Sequence, residues 1–359
     1  MSRIIILPGD GIGPDIVREA VAVLDLINDK FNLNLDYEYG LAGGASIDES
    51  GEPVTDGVLE KCKQADAVLL GAVGGPRWES TDPGKPRPED ALLALRKGMG
   101  LYANLRPVKI FNSLVSASAL KPQLLEHVDI LVVRELTGGI YFGPRNRIEE
   151  EGHIQAFDTM LYADYEIERI TRLAFEFARQ RRKKVTSIDK ANILESSRLW
   201  REIVIDIGSG YPDVELNHLY VDNATMQLIR DPGQFDVVLA SNMFGDILSD
   251  EAAMISGSIG LLPSASLRQD MMGMYEPIHG SAPDITGEDK ANPIAAILSV
   301  ALMLKYTFRR DDIYSLIEKA VGHVLDQGYR TSEIYQEGKE LVGTSRMGQL
   351  IISQIKKSI

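Results

Sequence analysis

The chain has very little cysteine: Cys62 is the single one among 359 residues. One thiol excludes an internal disulfide, and it excludes the thiolate clusters that bind zinc or iron and sulfur. A reducing compartment fits this composition. Histidine is also scarce, and the five histidines lack the paired spacing of metal ligands, so we expect no histidine metal site. They are His127, His153, His218, His279 and His323.

Long apolar runs and excess positive charge are also lacking. No segment is apolar enough to predict a membrane span, and no charged leader precedes the first strand, so we expect a cytoplasmic, unprocessed protein. The formal net charge of −14 disfavours nucleic acid and anionic lipid partners. The basic run at 179–184, RQRRKK, ends a helical pattern, where cations complement the helix C-terminus.

Three familiar loop motifs are absent or incomplete. The chain has no Gly-x-x-x-x-Gly-Lys phosphate loop and no Gly-x-Ser-x-Gly elbow, which excludes the usual sites of nucleotide and ester hydrolysis. The segment PGDGIGP at 8–14 resembles the Gly-x-Gly-x-x-Gly motif of dinucleotide-binding folds, in which Glu38 would be the acid that binds the ribose. Pro14, however, occupies the position of the third glycine. We therefore predict a tight strand-to-helix turn there.

Short apolar runs alternate with longer amphipathic stretches, a pattern typical of an α/β fold. The length suggests two domains. A helix is predicted over 16–27. The segment 149–159 is interpreted as a projecting hairpin. Two long loops rich in glycine and proline, 71–88 and 276–293, have the length of functional loops. The predicted strands are 3–7, 67–72, 129–134, 185–189 and 236–240.

The segment 241–260 carries the strongest chemical signal. Asp246 and Asp250 are four residues apart on a predicted helix, so both carboxylates lie on one face and suit a hard divalent cation. The alternative is that two acids near a helix start only complement its dipole. The apolar side of this helix is predicted to contain Ile247, Leu248, Ala252 and Ile255.

Three arginines stand near the ends of a predicted helix and two predicted strands: Arg96, Arg106 and Arg134. Two of them follow apolar runs, where an unpaired cation is costly and an anionic ligand would satisfy it. Tyr141 and Lys190 are either buried hydrogen-bonded side chains or a proton donor and base, whose pKa values positive neighbours would lower.

Eight motifs, in order over nearly the whole chain, resemble those of the β-decarboxylating dehydrogenases of 2-hydroxy acids. The resemblance implies a two-domain α/β fold with a mixed sheet through both domains, distinct from the classical Rossmann fold. One domain would contain 1–101 and 257–359, and the other 102–256, with dimerisation helices at 222–231 and 243–255. The motifs are LPGDGIGP, ALLALRKG, NLRPV, VREL…GGIYFG, DKAN, VDNATMQL, MFGDILSDEAA and EPIHGSAPDITG.

The same resemblance implies a catalytic centre shared between two subunits of a homodimer. Asp246 and Asp250 would hold Mg²⁺ or Mn²⁺ together with Asp222 of the partner subunit. Tyr141 and Lys190 would transfer protons, Lys190 again from the partner subunit. The three arginines named above would bind the carboxylates of a malate.

The implied cofactor is NAD⁺, in a site built from the 71–88 loop and 279–292. Asp284 followed by Ile285 resembles the NAD form of the family, since an acid there accepts from ribose hydroxyls and repels a 2′-phosphate. Glu89 resembles the family residue near the nicotinamide. The implied cofactor residues are Gly74, Gly75, Pro76, Glu89, His279, Gly280, Ser281, Ala282, Pro283, Asp284, Ile285 and Asn292.

Substrate choice is predicted to depend on residues 89–97. Leu92 and Leu93 form an apolar wall suited to an isopropyl group, whereas a third carboxylate there would be desolvated and unpaired. The resemblance implies a reaction that converts (2R,3S)-3-isopropylmalate to 2-oxo-4-methylpentanoate and CO₂ in leucine biosynthesis. The alternatives are homoisocitrate, isocitrate or tartrate as substrate, or a non-catalytic regulatory subunit.

Overall fold

The computed structural model describes residues 2–82 and 84–359; Met1, and Pro83 of the predicted 71–88 loop, lie outside the described residues. The strands are β1 (Ser2–Gly9), β2 (Leu35–Tyr39), β3 (Ala67–Ala72), β4 (Ala103–Lys109), β5 (Asp129–Glu135), β6 (Arg145–Glu150), β7 (His153–Asp158), β8 (Lys184–Asp189), β9 (Glu215–Tyr220), β10 (Val237–Ala240), β11 (Pro263–Leu267), β12 (Gly273–Pro277), β13 (Tyr329–Arg330) and β14 (Glu340–Leu341). The α-helices are α1 (Gly13–Phe31), α2 (Gly44–Ser50), α3 (Asp56–Gln64), α4 (Asp90–Met99), α5 (Pro122–Leu125), α6 (Asp164–Arg179), α7 (Glu195–Ser209), α8 (Val221–Arg230), α9 (Asn242–Ile255), α10 (Ile294–Tyr306), α11 (Asp311–Asp326) and α12 (Thr344–Ser358).

The chain divides into two compact units. Unit 1 contains the residues up to Leu101, Ile110–Ala119 and Ser256–Ile359. Its strands follow the order β2-β1-β3-β12-β11, in which only the β11–β12 pair is antiparallel. Helix α10 is buried over eleven consecutive residues, because it packs between other elements instead of facing solvent.

Unit 2 contains Tyr102–Lys109 and Leu120–Ile255. Its strands follow the order β4-β5-β10-β8-β9, with β4 antiparallel to β5 and the other pairs parallel. The carboxyl ends of β5, β8 and β10 therefore meet at one edge. In open α/β sheets this edge is where ligands bind.

The α/β class and a mixed sheet are confirmed, as are the five predicted strands, now β1, β3, β5, β8 and β10. The helix predicted over 16–27 lies within α1. One expectation for α9 is wrong: Ile247 is 53% exposed, whereas Leu248, Ala252 and Ile255 are buried as predicted. The apolar face of α9 is thus only partly covered in one chain.

The predicted hairpin near 149–159 is the pair β6–β7. Glu150 and His153 pair across a two-residue turn in which Glu151 and Gly152 both have positive φ, the conformation that such turns require. All twelve strand residues are exposed. In residues 2–82 and 84–359, we find no helix with the length and apolar character to cross a membrane.

Candidate active site

A cluster of two acids and two arginines lies at the carboxyl edge of the unit 2 sheet. Helix α9 begins two residues after β10 ends, which brings Asp246 close to Arg134 of β5. The Arg134 guanidinium forms an ion pair with Asp246, and its Nε and Nη2 donate to Asn242 Oδ1 over 3.0 and 2.8 Å. Its side chain is only 2% exposed, so these contacts offset the cost of burying the charge.

Arg106 joins the same cluster from the middle of β4. Its Nη1 donates to Asp250 Oδ1 at 3.0 Å and to Ser249 Oγ at 2.7 Å, and its Nη2 lies 3.4 Å from Asp246 Oδ1. The sequence suggested that an anionic ligand would satisfy these buried arginines. In the structure, the protein's own carboxylates already do so, because α9 places them within reach.

Tyr141 occupies the turn after β5 and donates from its hydroxyl to Asp246 Oδ2 at 3.0 Å. Burial raises the pKa of Tyr141, and the negative charge of Asp246 adds to this, although Arg134 opposes it. The positive neighbour Arg134 does lower the pKa of this tyrosine, as expected, but burial and Asp246 outweigh it and the net shift is upward. The hydroxyl keeps its proton at neutral pH, which suits a proton donor.

Two aspartates alone do not complete a cation site. Burial raises the pKa of Asp250, with Arg106 opposing the shift and Asp246 adding to it. Carboxylate oxygens are the donors that Mg²⁺ and Mn²⁺ prefer, so Asp246 and Asp250 fit such an ion. Among the described residues, however, no three His, Cys, Asp or Glu side chains form a metal-binding group.

Lys190 and Asp222 form a second cluster in unit 2. Lys190 follows β8 and Asp222 lies in the first turn of α8, and their Nζ and Oδ1 atoms are 2.6 Å apart. Hydrogen bonding from Lys190 lowers the pKa of Asp222, which therefore stays ionised. The Asp222 side chain is 62% exposed. The two residues that the resemblance assigns to the partner's site thus form one ion pair, in which Lys190 is half-buried and Asp222 is exposed.

The predicted cofactor segments come together within unit 1. Ser281 Oγ donates to the carbonyl of Gly74 at 2.9 Å. The positive φ of Gly74, +116°, is a conformation that side chains rarely adopt, and a Cβ there would lie 3.0 Å from Glu89 Oε1. A pocket of about 660 Å³ adjoins these residues. It is lined by Gly75, Trp78, Glu79, Ser80, Thr81, Arg87, Pro88 and Glu89.

His279 and Asn292 stand at the two ends of the second predicted cofactor segment, 279–292. His279 has a hydrogen bond of 2.9 Å between Nδ1 and the Gly280 carbonyl, and burial lowers its pKa, so the ring is neutral at pH 7. Asn292 Nδ2 donates to Glu333 Oε1 at 2.8 Å. Between them, Ala282 with φ +38° leads into a 3₁₀ turn formed by Pro283–Ile285, which leaves Asp284 exposed. Pro76 likewise begins the 3₁₀ turn Pro76–Trp78.

Arg96 and the two leucines lie in α4 of unit 1. Arg96 Nη2 is 3.1 Å from Glu276 Oε1, and both side chains are nearly buried. Leu92 is partly buried and packs against the hydrophobic core of this unit, so only part of it remains for a substrate wall. Leu93 is half-buried.

Sequence reasoning missed several partner residues: Asn242, Glu276, Glu333 and Asp10. Each contacts a predicted site residue from a distant part of the chain, as Glu276 does from 180 positions after Arg96. No local pattern marks such pairs. Asn242 alone carried a signal, since it stands at the start of the helix that bears the acid pair.

Comparison with known proteins places the chain among the dehydrogenases, the oxidoreductase class expected from its motifs. A model of the isocitrate/isopropylmalate dehydrogenase family matches residues 3–351. The chain belongs to this family.

The sequence is 58% identical to a 3-isopropylmalate dehydrogenase of Clostridium acetobutylicum over 98% of this chain and 99% of that protein. It is 56% identical to one of Pseudomonas putida over 99% of both. The fold resembles a crystal structure of isocitrate dehydrogenase from Methylococcus capsulatus, with a TM-score of 0.88 and 34% identity, over 99% of this chain and 100% of that chain.

Proposed function

We propose that the protein oxidises and decarboxylates 3-isopropylmalate with NAD⁺, yielding 2-oxo-4-methylpentanoate and CO₂ in leucine biosynthesis. The observation that carries this proposal is the unit 2 cluster, in which Arg106, Arg134 and Tyr141 meet Asp246 and Asp250. Guanidinium groups bind carboxylates with paired hydrogen bonds, as a malate requires. The names of relatives at 56–58% identity support the isopropyl substituent.

The proposed roles divide the work among the residues. Arg106 and Arg134 of unit 2 bind and orient substrate carboxylates. Lys190 Nζ of the partner subunit takes the proton of the C2 hydroxyl. Tyr141 donates its phenolic proton to C3 after CO₂ has left, since its raised pKa keeps it protonated.

Two bound groups supply the remaining chemistry. Gly74, Glu89 and the segment from His279 to Asn292 would hold NAD⁺, which would supply the hydride acceptor. Asp246, Asp250 and Asp222 of the partner subunit would hold Mg²⁺ or Mn²⁺, which would supply Lewis-acid chemistry. The exposed Asp284 suits NAD⁺ because a carboxylate there repels a 2′-phosphate.

A homodimer completes the proposed centre. The exposed apolar side chains of unit 2 support it, since α8, α9 and the β6–β7 hairpin would otherwise leave this surface in water. These side chains are Met226, Ile229, Ile247, Met254, Ile154 and Phe157. We further propose the cytoplasm as its location, a reducing compartment that suits the lone buried Cys62.

Subunit mixing tests the shared centre. Asp246→Asn and Asp222→Asn homodimers should each be nearly inactive. After exchange, a mixed dimer has one centre with an intact Asp246, an intact Asp250 and an intact partner Asp222, so activity should reappear on mixing. Absence of recovery, in a mixture shown by mass spectrometry to contain mixed dimers, would refute the sharing of Asp222.

The substrate is tested by NAD⁺ reduction with Mg²⁺, comparing 3-isopropylmalate with isocitrate, homoisocitrate and tartrate at equal concentrations. We expect a strong preference for 3-isopropylmalate. Preference for another acid would keep the dehydrogenase chemistry and overturn the assigned substrate. No turnover with any of them would indicate a regulatory subunit.

A further inference from the structure

The turn PGDGIGP between β1 and α1 has no role in the proposed chemistry, yet it contains a buried acid. Asp10 is 4% exposed, and its carboxylate accepts three backbone hydrogen bonds. The donors are Gly44 N at 2.8 Å, Ala45 N at 2.7 Å and Gly74 N at 2.9 Å. A buried carboxylate with three N–H donors is a strong and specific anchor, because charge-assisted hydrogen bonds gain strength away from water.

The same turn also contacts the second cofactor segment. Ile12 N donates to the carbonyl of Ser281 at 2.8 Å, and Ser281 Oγ in turn donates to the carbonyl of Gly74. The turn approaches this segment so closely that a Cβ on Gly11 would lie 2.1 Å from Ser281 O. Gly74 is thus held on both sides, its N–H by Asp10 and its carbonyl by Ser281.

We infer that Asp10 is a positioning residue for the NAD⁺ site: its carboxylate locks the backbone of Gly74 against Ser281, so that both cofactor segments are preorganised before NAD⁺ arrives. This inference rests on the proposed function. In this role PGDGIGP differs from a phosphate-binding loop. The Asp10 carboxylate accepts from protein backbone amides, and the turn affects cofactor binding indirectly, through the two loops that it positions. Preorganisation raises affinity by removing the cost of ordering a loop on binding.

The test compares Asp10→Asn, Asp10→Ala and Ser281→Ala. Asp10→Ala removes all three acceptor contacts and should weaken NAD⁺ binding ~10-fold or more, the loss expected for a buried charged acceptor. Asp10→Asn keeps one carbonyl oxygen and should lie between Asp10→Ala and the wild type. The KM for the 2-hydroxy acid should change little, since the proposed carboxylate-binding pair Arg106 and Arg134 lies in unit 2.

Asn28→Ala is the matched control. Asn28 Oδ1 accepts from Leu35 N at 3.0 Å, so this variant also loses a side-chain bond to unit 1 backbone, but at the other end of α1. It should lower stability and leave the KM for NAD⁺ unchanged. Hydrogen exchange supplies a second readout: in Asp10→Asn, the amides of Gly44, Ala45 and Gly74 should lose protection while the rest of unit 1 keeps it.

The outcomes separate this inference from the proposed function. If the wild type reduces NAD⁺ with 3-isopropylmalate but Asp10→Asn shows unchanged NAD⁺ affinity, the positioning role is refuted. It is also refuted if Asn28→Ala weakens NAD⁺ binding as much at equal loss of stability. If the wild type does not reduce NAD⁺ with any of the acids tested, the proposed function fails. The hydrogen-exchange experiment still decides whether Asp10 holds Gly74. Should Asp10→Ala not fold, Asp10→Asn retains the test, and Ser281→Ala, which releases the carbonyl of Gly74, should also weaken NAD⁺ binding.

Discussion

Replacing Asp246 by asparagine should separate the two tasks that this residue performs in unit 2. Asp246 contacts Arg134, Arg106 and Tyr141, so the change removes a negative charge that two guanidinium groups and a phenol share. We expect a loss of stability from the arginines and a loss of turnover from the chemistry, with NAD⁺ binding unchanged.

The stability effect can be sized from the contacts that remain. Removing one partner of a fully buried ion pair costs about 3–5 kcal/mol. Here Asp246 is 30% exposed, Arg134 keeps both hydrogen bonds to Asn242, and Arg106 keeps Asp250. The expected loss is therefore smaller, about 1–3 kcal/mol in the free energy of unfolding. Urea denaturation without added metal measures it.

The turnover effect should be larger, with kcat lowered ~100-fold or more, as expected for a group that acts in the transition state. Asp236→Asn is the matched control. Asp236 is 1% exposed and accepts from Arg181 Nε at 2.8 Å, but it lies before β10, at the opposite end of the strand from Asp246. Because Asp236 is more deeply buried than Asp246, this variant should cost at least as much stability, and it should leave kcat near the wild-type value. Unchanged turnover in Asp246→Asn, or an equal loss in Asp236→Asn, would refute the assignment.

Three further predictions concern unit 1. Replacing Asp284 by lysine and Ile285 by tyrosine should lower kcat/KM with NAD⁺ and raise it with NADP⁺, measured side by side; an unchanged ratio would contradict the role of Asp284. Burial lowers the pKa of His279 below the ordinary value of 6.5, so the unfolded chain binds the extra proton first as pH falls. The stability that depends on His279 should thus be complete above pH 6.5 and decrease as pH falls through the folded pKa, and His279→Gln should lack this component in denaturation curves at pH 5 and 7.5. Leu93→Ser should lower kcat/KM for 3-isopropylmalate ~10-fold at little cost in stability, whereas Leu92→Ser should also lower the melting temperature, since Leu92 packs on the core.

The elements that sequence could predict are those with a local signal. Strands β3, β5 and β10 are short runs of apolar residues, and their burial on both faces follows from that composition. The spacing of Asp246 and Asp250 likewise defines a shared helix face within five residues. The departure from the dinucleotide motif at Pro14 is also a local signal. It predicted a tight turn, and the structure has this turn.

The partners of these residues were decided by tertiary structure alone. Arg106 and Asp250 are 144 positions apart, and Asp10 and Gly74 are 64 apart. Whether Arg106 pairs with a carboxylate of the protein depends on how α9 packs beside β4 and β5. A short stretch of sequence does not contain this information, because the three elements are far apart in the chain. The direction of the Tyr141 pKa shift depends on the same packing, because burial and the distance to Asp246 outweigh the nearby arginine. Sequence by itself determined the helices and strands with a regular apolar pattern, and the family motifs, since both are properties of neighbouring residues. The balance of charges in the site was decided by the tertiary structure, because charged groups from distant segments interact strongly only when folding buries them close together.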